Sequence, residues 1–223
     1  MPNRPLLLGH RGARGDKSAP ENTFASFDLA LAQGCDGFEF DVRLTADGEA
    51  VIGHDPDVGG LRIAQSSRRE LNLPLLREVL TRYRHSAFLD IELKVPGLEK
   101  ITTELLRESP PASGFVVSSF LPEVLKESYK LDASIPLGLI CETHAQLSLW
   151  PDLPVQYVIP HYKLLRRGLV DKLKAANHKI LVWTVNVPAG MRRFAQWGVD
   201  GIISDPPSVL ARTLGSPGPR SKK

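Results

Sequence analysis

The chain has 223 residues, of which 42% are hydrophobic and 24% are charged, and this length and composition are typical of one globular domain. A formal net charge of +3, without a basic run except the short tail Arg220–Lys223, argues against a nucleic-acid-binding protein. We find no apolar stretch long enough to cross a bilayer and no signal peptide, so we expect a cytoplasmic protein without stable membrane insertion. Cys35 and Cys141 lie in apolar surroundings and are expected to be buried thiols.

Short β-rich runs alternate along the chain with segments that carry apolar residues at helical spacing. The predicted strands are Pro5–His10, Gly37–Leu44, Ala87–Lys94, Phe115–Phe120, Pro136–Glu142, Gln156–His161, Lys179–Val185 and Gly201–Asp205. This alternation predicts an α/β fold, a (β/α)8 TIM-type barrel formed by residues 1–214, with residues 215–223 as a disordered tail. A doubly wound open sheet is the alternative, but the chain lacks the glycine-rich phosphate-binding motifs of such sheets.

Two local patterns refine this prediction. The segments 34–41 and 198–205 share the pattern G-x-D-G-apolar-x-x-D, which predicts a glycine at a helix end, a turn, and a strand that ends in aspartate. The segment Pro20–Thr23 is interpreted first as a helix start, and a role for Glu21 or Asn22 in a functional site is the second interpretation.

Two predicted strands carry charge where a parallel barrel strand is normally apolar. The two-residue period places the charged residues of each strand on one face: Glu39, Asp41 and Arg43 on the second strand, and Asp90, Glu92 and Lys94 on the third. Because the apolar faces must pack against the helices, the charged faces are expected to point into the barrel. Carboxylates that converge there would form an all-oxygen site for Mg²⁺ or Ca²⁺, and a structural ion-pair cluster is the alternative.

Two histidines are predicted to lie near these carboxylates. His10 ends the first strand and is followed by Arg11. The pair Asp47-Gly48 is a strong turn signal, so the chain is expected to fold back after the second strand and to bring His54 to the same end of the barrel. Catalytic residues of such barrels lie at the carboxyl ends of the strands, so both histidines are candidate acid/base groups.

Together these motifs resemble the glycerophosphodiester phosphodiesterase family over residues 6–210. The resemblance rests on His10-Arg-Gly12, Pro20-Glu-Asn-Thr23, Glu39-x-Asp41, Thr45-x-Asp-Gly48, His54-Asp55, Glu92-Leu-Lys94, Ser118-Ser-Phe120, Val182-Trp-Thr-Val-Asn186 and Asp200-Gly-Ile-Ile-Ser-Asp-Pro206. It implies a TIM-type barrel and metal-dependent hydrolysis of a small-molecule glycerophosphodiester to glycerol 3-phosphate and an alcohol. In the family reaction a glycerol hydroxyl attacks first, and water then opens the cyclic phosphate.

The resemblance also implies a role for each candidate residue. One divalent cation, Mg²⁺ or Ca²⁺, would be held by Glu39, Asp41 and Glu92; His10 and His54 would form the acid/base pair; Arg11 and Lys94 would contact the phosphate; and Trp183 would pack against the glycerol. We interpret His10 as the base. The released alcohol, the choice of metal and the oligomeric state are not determined by the sequence.

The segment 56–74, which follows His54-Asp55, is shorter than the insertion typical of the family, so the part that shapes the alcohol pocket is expected to be reduced. Two alternatives stay open at this point. One is phospholipase D-like cleavage of lysophospholipids on the same scaffold. The other is a non-catalytic barrel that binds phosphate esters.

Overall fold

The computed structural model describes residues 4–215, so the predicted tail lies outside the described residues except for Gly215. The strands within this range are β1 (Leu6–His10), β2 (Gly37–Leu44), β3 (Ala50–Ile52), β4 (Asp57–Val58), β5 (Leu61–Arg62), β6 (Phe88–Leu93), β7 (Phe115–Ser119), β8 (Leu137–Cys141), β9 (Tyr157–Pro160), β10 (Lys179–Val182) and β11 (Gly201–Ser204). The α-helices are α1 (Phe24–Ala32), α2 (Arg68–Leu71), α3 (Leu76–Tyr83), α4 (Glu99–Glu108), α5 (Pro122–Leu131), α6 (His144–Leu147), α7 (Arg167–Ala175), α8 (Pro188–Trp197) and α9 (Pro207–Leu214).

Eight parallel strands form a closed barrel in the order β1, β2, β6, β7, β8, β9, β10, β11. The barrel closes because β1 pairs with β2 on one side and with β11 on the other. This arrangement confirms the (β/α)8 prediction and excludes the open sheet. All eight predicted strands are present, although the seventh ends at Val182 and not at Val185.

The repeated sequence pattern has the same local role in both of its copies. The glycine that opens each copy has a positive φ, 97° in the first and 80° in the second, which a glycine adopts without strain. Asp36 Oδ2 accepts the backbone N–H of Leu7, and Asp200 Oδ2 accepts that of Ile180, both at 2.8 Å. Each aspartate thus precedes its own strand and fixes the start of the neighbouring strand.

Between the barrel and its helices, an aromatic cluster supports the strand that carries the predicted carboxylates. Phe38 and Phe40 point outward from β2, and Phe38 stacks on Phe27 of α1 with ring centroids 4.3 Å apart. Tyr83 of α3 meets the Phe38 ring edge-on at 4.9 Å. These four side chains are at most 2% exposed, so the outer face of β2 is fully packed.

The first helix begins at Phe24 and not directly after Pro20. Thr23 Oγ1 accepts the backbone N–H of Ser26 at 3.2 Å, which makes Thr23 the N-cap. Asn22 has a φ of 58°, outside the helical region. The predicted helix start is therefore wrong by one turn, and the residues between Pro20 and Thr23 form a loop at the end of the barrel.

After β2 the chain folds back at the predicted turn. β3 pairs antiparallel with the last residues of β2 and leads to His54. The segment 56–74 then forms the β4–β5 hairpin, a short 3₁₀ turn and α2. None of the helices within residues 4–215 has the length and hydropathy needed to cross a membrane.

The substitution Phe38→Ala removes the centre of the aromatic cluster and leaves a cavity. We expect it to lower the free energy of unfolding by about 3–5 kcal/mol, measured by urea denaturation. Tyr129→Ala, at a side chain that is 42% exposed, is the control and should change stability by no more than about 0.5 kcal/mol. An equal, small effect of both substitutions would contradict this view of the core.

Candidate active site

A cavity of about 360 Å³ lies at the carboxyl ends of the barrel strands, and we call it the mouth cavity. One side is charged and is lined by His10, Arg11, Glu39, His54, Asp90, Glu92 and Lys94. The other side is mainly apolar and is lined by Phe120, Ile140, Glu142, Ile159, Trp183 and Ile203. This is the end at which barrels of this type place their catalytic residues.

Three carboxylates meet on the charged side. Glu39, Asp41 and Glu92 each present an oxygen, and these oxygens lie within 4.8 Å of one another. The parallel pairing of β2 with β6 aligns Asp41 with Glu92 and causes this approach. The three residues are 5%, 1% and 7% exposed, so water screens their mutual repulsion poorly.

Burial and mutual repulsion perturb the pKa values of these carboxyl groups in different directions. Burial, followed by the charges of Asp41 and Glu92, raises the pKa of Glu39 well above its usual value. Burial and the charge of Asp41 raise the pKa of Glu92 to about 7. Burial acts on Asp41 too, but the charges of Lys94 and Arg11 outweigh it and lower the pKa of Asp41. Of the three carboxyl groups, Asp41 is therefore the one that ionises most readily.

The neighbouring cations do not neutralise the cluster. Lys94 Nζ lies 2.6 Å from Glu92 Oε1 and 3.3 Å from Asp41 Oδ1, and Arg11 Nε lies 3.2 Å from Asp41 Oδ2. Two positive charges thus face three carboxylates. In addition, Glu39 Oε1 is buried without a hydrogen-bond partner among residues 4–215. A buried, unpartnered oxygen in an all-carboxylate donor set fits a hard divalent cation, so the cluster could hold Mg²⁺ or Ca²⁺.

The backbone of Arg11 is held in an uncommon conformation. Its φ of 49° lies in the left-handed region, which non-glycine residues rarely adopt. The Arg11 N–H donates to Glu39 Oε2 at 2.9 Å, and the guanidinium Nη1 donates to Glu21 Oε1 at 2.7 Å. The turn that ends β1 therefore fixes one oxygen of Glu39 and directs the guanidinium to the cavity wall. Such backbone strain is common at functional sites.

Each of the two candidate histidines is oriented by an aspartate. His10 Nδ1 lies 2.7 Å from Asp205 Oδ1, and His54 Nδ1 lies 2.8 Å from Asp55 Oδ1. Burial would raise the pKa of Asp205, but the hydrogen bond and charge of His10 lower it to about 2. Because this carboxylate is ionised, the His10 Nδ1 carries a proton, and Nε2 is the nitrogen left for a substrate.

Two further residues support the site from distant parts of the chain: Asp205, which the sequence did not assign to it, and Asn22, for which a role in the site was the second interpretation. Asp205 also accepts a hydrogen bond of 2.6 Å from Asn186 Nδ2. Asn22 Nδ2 donates to Asp41 Oδ2 at 2.8 Å and thus fixes a candidate metal ligand. A signal for Asp205 was available, because the repeated pattern aligns it with Asp41. The contact of Asn22 with Asp41 supports the second interpretation of Pro20–Thr23, in which this segment contributes to the functional site.

Arg43 does not take the position that the strand alternation predicted. It shares a face with Glu39 and Asp41 along β2, but β2 continues beyond the barrel to pair with β3. Arg43 Nε donates to the backbone oxygen of His54 at 2.7 Å, and the side chain does not line the mouth cavity. An ion-pair cluster that includes Arg43 is therefore wrong, and Arg43 instead holds the segment that carries His54.

The serines at the end of β7 are engaged in structural hydrogen bonds. Ser118 Oγ donates to Asp90 Oδ1 at 2.6 Å, and Ser119 Oγ donates to the backbone oxygen of Leu93 at 2.8 Å. Burial raises the pKa of Asp90 to about 7 in spite of the Ser118 bond. Ser118 does not line the mouth cavity, and neither serine stands in a serine-nucleophile motif of the sequence.

The closed barrel and its charged mouth place the chain among TIM-barrel enzymes. A sequence profile of the Glycerophosphoryl diester phosphodiesterase family matches residues 10–104 and 111–209, and the chain therefore belongs to that family. The resemblance found in the sequence motifs is thereby confirmed.

Individual relatives agree with this assignment. A glycerophosphodiester phosphodiesterase of Caldanaerobacter subterraneus subsp. tengcongensis is 29% identical, over 93% of this chain and 96% of the relative. A lysophospholipase D of Homo sapiens is 23% identical, over 91% of this chain and 84% of the relative. An Oleispira antarctica phosphodiesterase, solved in complex with the product sn-glycerol-3-phosphate, is 28% identical with a TM-score of 0.83, and the match covers 96% of this chain and 98% of that one.

The Asp205–His10 contact predicts a dependence of stability on pH. The pKa of Asp205 is about 2 in the folded protein and 3.8 without its partners, so the stabilisation is present above pH 3.8 and is lost as the pH falls to 2. Between these pH values we expect the free energy of unfolding to fall by about 1 kcal/mol less in Asp205→Asn than in the wild type, after allowance for solvent screening. Urea unfolding of both proteins between these pH values measures the difference. Asp152→Asn, at an exposed site, is the control, and equal slopes for wild type and Asp205→Asn would refute the expectation.

Proposed function

We propose that the protein hydrolyses glycerophosphodiesters to glycerol 3-phosphate and an alcohol, with a divalent cation held by Glu39, Asp41 and Glu92. The observation that carries the proposal is the buried carboxylate cluster, with its unpartnered oxygen, in the same cavity as two histidines anchored by aspartates. Membership of the family and the relative that was solved with sn-glycerol-3-phosphate support the class of substrate.

The charged side of the mouth cavity fits a phosphodiester anion. When bound, a divalent cation would neutralise phosphate charge and would acidify a substrate hydroxyl. Arg11 offers a planar pair of donors for two phosphate oxygens, and Lys94 offers a compact positive charge. Both side chains line the cavity beside the carboxylates, so they would bind the phosphate where its repulsion of a nucleophile must be reduced.

In the proposed reaction His10 is the base. Its Nδ1 proton is held by Asp205, so neutral His10 accepts the proton of a glycerol hydroxyl at Nε2. The hydroxyl oxygen forms a bond to phosphorus while the bond from phosphorus to the alcohol oxygen breaks, which gives a cyclic phosphate. Protonated His54, which is oriented by Asp55, donates its Nε2 proton to the departing oxygen. Water then opens the ring with the two roles exchanged, and glycerol 3-phosphate is released.

Trp183 is proposed to pack against the glycerol. The indole Nε1–H donates to the backbone oxygen of Ile159 at 2.9 Å, so this donor is already used within the protein. The indole ring meets Phe120 edge-on, with centroids 5.7 Å apart, and both line the apolar side of the cavity. The carbon skeleton of glycerol suits such a surface, because its burial there removes apolar area from water.

Cleavage of lysophospholipids is the second candidate function, since one similar protein is a lysophospholipase D and one side of the cavity is apolar. Glycerophosphocholine and lysophosphatidylcholine distinguish the two functions. Release of glycerol 3-phosphate from the first supports our proposal, and cleavage of the lysolipid alone contradicts it. A non-catalytic barrel would bind these esters without turnover.

The carboxylate cluster predicts that cation binding and proton release are linked. Because the pKa of Glu92 is about 7 and that of Glu39 is raised, a divalent cation bound at pH 7 must displace protons. Titration calorimetry in buffers of different ionisation enthalpy measures this release. We expect Glu39→Gln to weaken binding by more than about 100-fold, since outer-shell partners alone contribute about 10- to 100-fold.

Glu104→Gln, at an exposed residue of α4, is the matched control and should leave cation affinity unchanged. Circular dichroism of Glu39→Gln separates loss of the ion from loss of the fold. A folded Glu39→Gln variant with wild-type affinity, or activity that persists in chelator, would refute the proposed metal site.

Removal of either histidine should slow the reaction without affecting the fold. We expect His10→Asn and His54→Asn each to lower kcat by about 10²- to 10⁴-fold, the usual contribution of a positioned acid or base. Release of glycerol 3-phosphate from glycerophosphocholine, at saturating Mg²⁺ or Ca²⁺, is the measurement. His85→Asn, at an exposed histidine after α3, is the control and should keep full activity. A variant of His10 or His54 with wild-type kcat would remove that residue from the mechanism.

A further inference from the structure

Glu142 occupies a distinctive position in the mouth cavity. It directly follows β8, which lies four strands from β1 in both directions around the barrel. Glu142 is therefore on the side of the mouth opposite His10, at an exposed rim position. The other described residues on its side of the cavity are apolar or aromatic, so it supplies the single formal charge there.

The carboxylate of Glu142 is unpaired although the residue itself is held in place. Its backbone N–H donates to Gln146 Oε1 at 2.9 Å, which ties the residue to α6. Within residues 4–215 the side chain takes part in no ion pair or hydrogen bond. Two other acids of the cavity differ in this respect, because Glu39 accepts the Arg11 N–H and Glu92 lies beside Lys94.

The groups around Glu142 do not neutralise it. His161 is close enough to interact with its charge, but burial, with a contribution from Lys163, lowers the pKa of His161, so the ring is neutral at pH 7. Lys163 Nζ lies 6.0 Å from the centre of the Tyr162 ring and makes no ion pair with Glu142. The His161 ring in turn packs edge-on against Trp183, with centroids 5.1 Å apart.

We propose that Glu142 selects glycerophosphodiesters whose alcohol carries a positive charge, such as an amino alcohol or a quaternary ammonium alcohol. This inference rests on the proposed function, in which the charged side of the cavity binds the phosphate and Trp183 packs against the glycerol. In the proposed binding mode the alcohol extends from the phosphate to the rim, where Glu142 lines the cavity and is exposed. An ammonium group at the rim is attracted by the opposite charge of the Glu142 carboxylate, whereas a neutral alcohol has no such interaction and the carboxylate stays hydrated.

The selectivity is expected to be modest, because water screens a rim carboxylate. Exposed ion pairs contribute little, and the corresponding preference is roughly 3- to 5-fold in kcat/KM. The preference arises in binding the charged group and not in the bond-breaking step. It should therefore appear mainly in KM, and it should decrease as the salt concentration rises.

The test compares two esters of the same shape that differ in charge. Glycerophosphocholine carries a quaternary ammonium group, and its 3,3-dimethylbutyl analogue has carbon in place of nitrogen. With the cation-loaded enzyme we expect kcat/KM to be roughly 3- to 5-fold higher for the choline ester. Glu142→Gln should reduce this ratio to about 1 by lowering kcat/KM for the choline ester, with the neutral ester unaffected.

Two variants serve as controls. Glu104→Gln has the same change of charge away from the mouth cavity and should keep the wild-type ratio. Lys163→Gln should keep or increase the ratio, because it removes a cation that opposes the bound ammonium.

Three outcomes would overturn the inference: equal turnover of the two esters by the wild type, an unchanged ratio in Glu142→Gln, or equal loss of both activities in that variant. The last result would indicate a structural role for Glu142. If neither ester releases glycerol 3-phosphate, the proposed function itself fails, and the selectivity fails with it.

Discussion

The burial of like charges at the end of two paired strands is the constraint on which the rest of the site depends. The register of β2 against β6 puts Asp41 beside Glu92. Glu39 lies two residues before Asp41, on the same face of β2. An unpaired buried charge costs several kcal/mol, so the surrounding structure must offset this repulsion. Lys94 and Arg11 supply part of the compensation, and protons on Glu39 and Glu92, or a divalent cation that displaces them, would supply the rest.

Closure of the barrel brings the proposed catalytic groups together. His10 and Asp205 are separated by 195 residues, and they meet because β1 pairs with β11. The pairing of β10 with β11 brings Asn186 beside Asp205, where Asn186 Nδ2 donates to the second oxygen of Asp205. A histidine at the end of the first strand is thus oriented by an aspartate at the end of the last one, so the proposed base is in place when the barrel is closed.

The two sides of the mouth cavity differ in chemistry, and we propose that one carries out the reaction and the other selects the substrate. Its charged side contains the groups suited to phosphoryl chemistry, which lie on or directly after β1, β2 and β6, together with His54 after β3. Its apolar side, from β7 to β11, offers a surface for the organic parts of a substrate, with Glu142 as the charged exception. Changes on the apolar side can therefore alter the preferred alcohol without affecting the carboxylate cluster.

The sequence alone determined the features that depend on neighbours along the chain. The alternation of Glu39 and Asp41 with apolar residues decided which face of β2 points inward, because a strand has a period of two residues. The turn at Asp47-Gly48 likewise decided that the chain returns after β2. Local spacing also predicted all eight barrel strands.

Tertiary structure decided everything that depends on register and on contacts between distant segments. The meeting of His10 with Asp205 and of Asn22 with Asp41 requires barrel closure and loop conformation, which no local period encodes. Arg43 lies outside the cavity because β2 extends beyond the barrel to pair with β3. The alternation correctly predicted the face of β2 on which Arg43 lies. It could not predict the residue at which β2 leaves the barrel, because that is set by pairing with strands far apart in sequence.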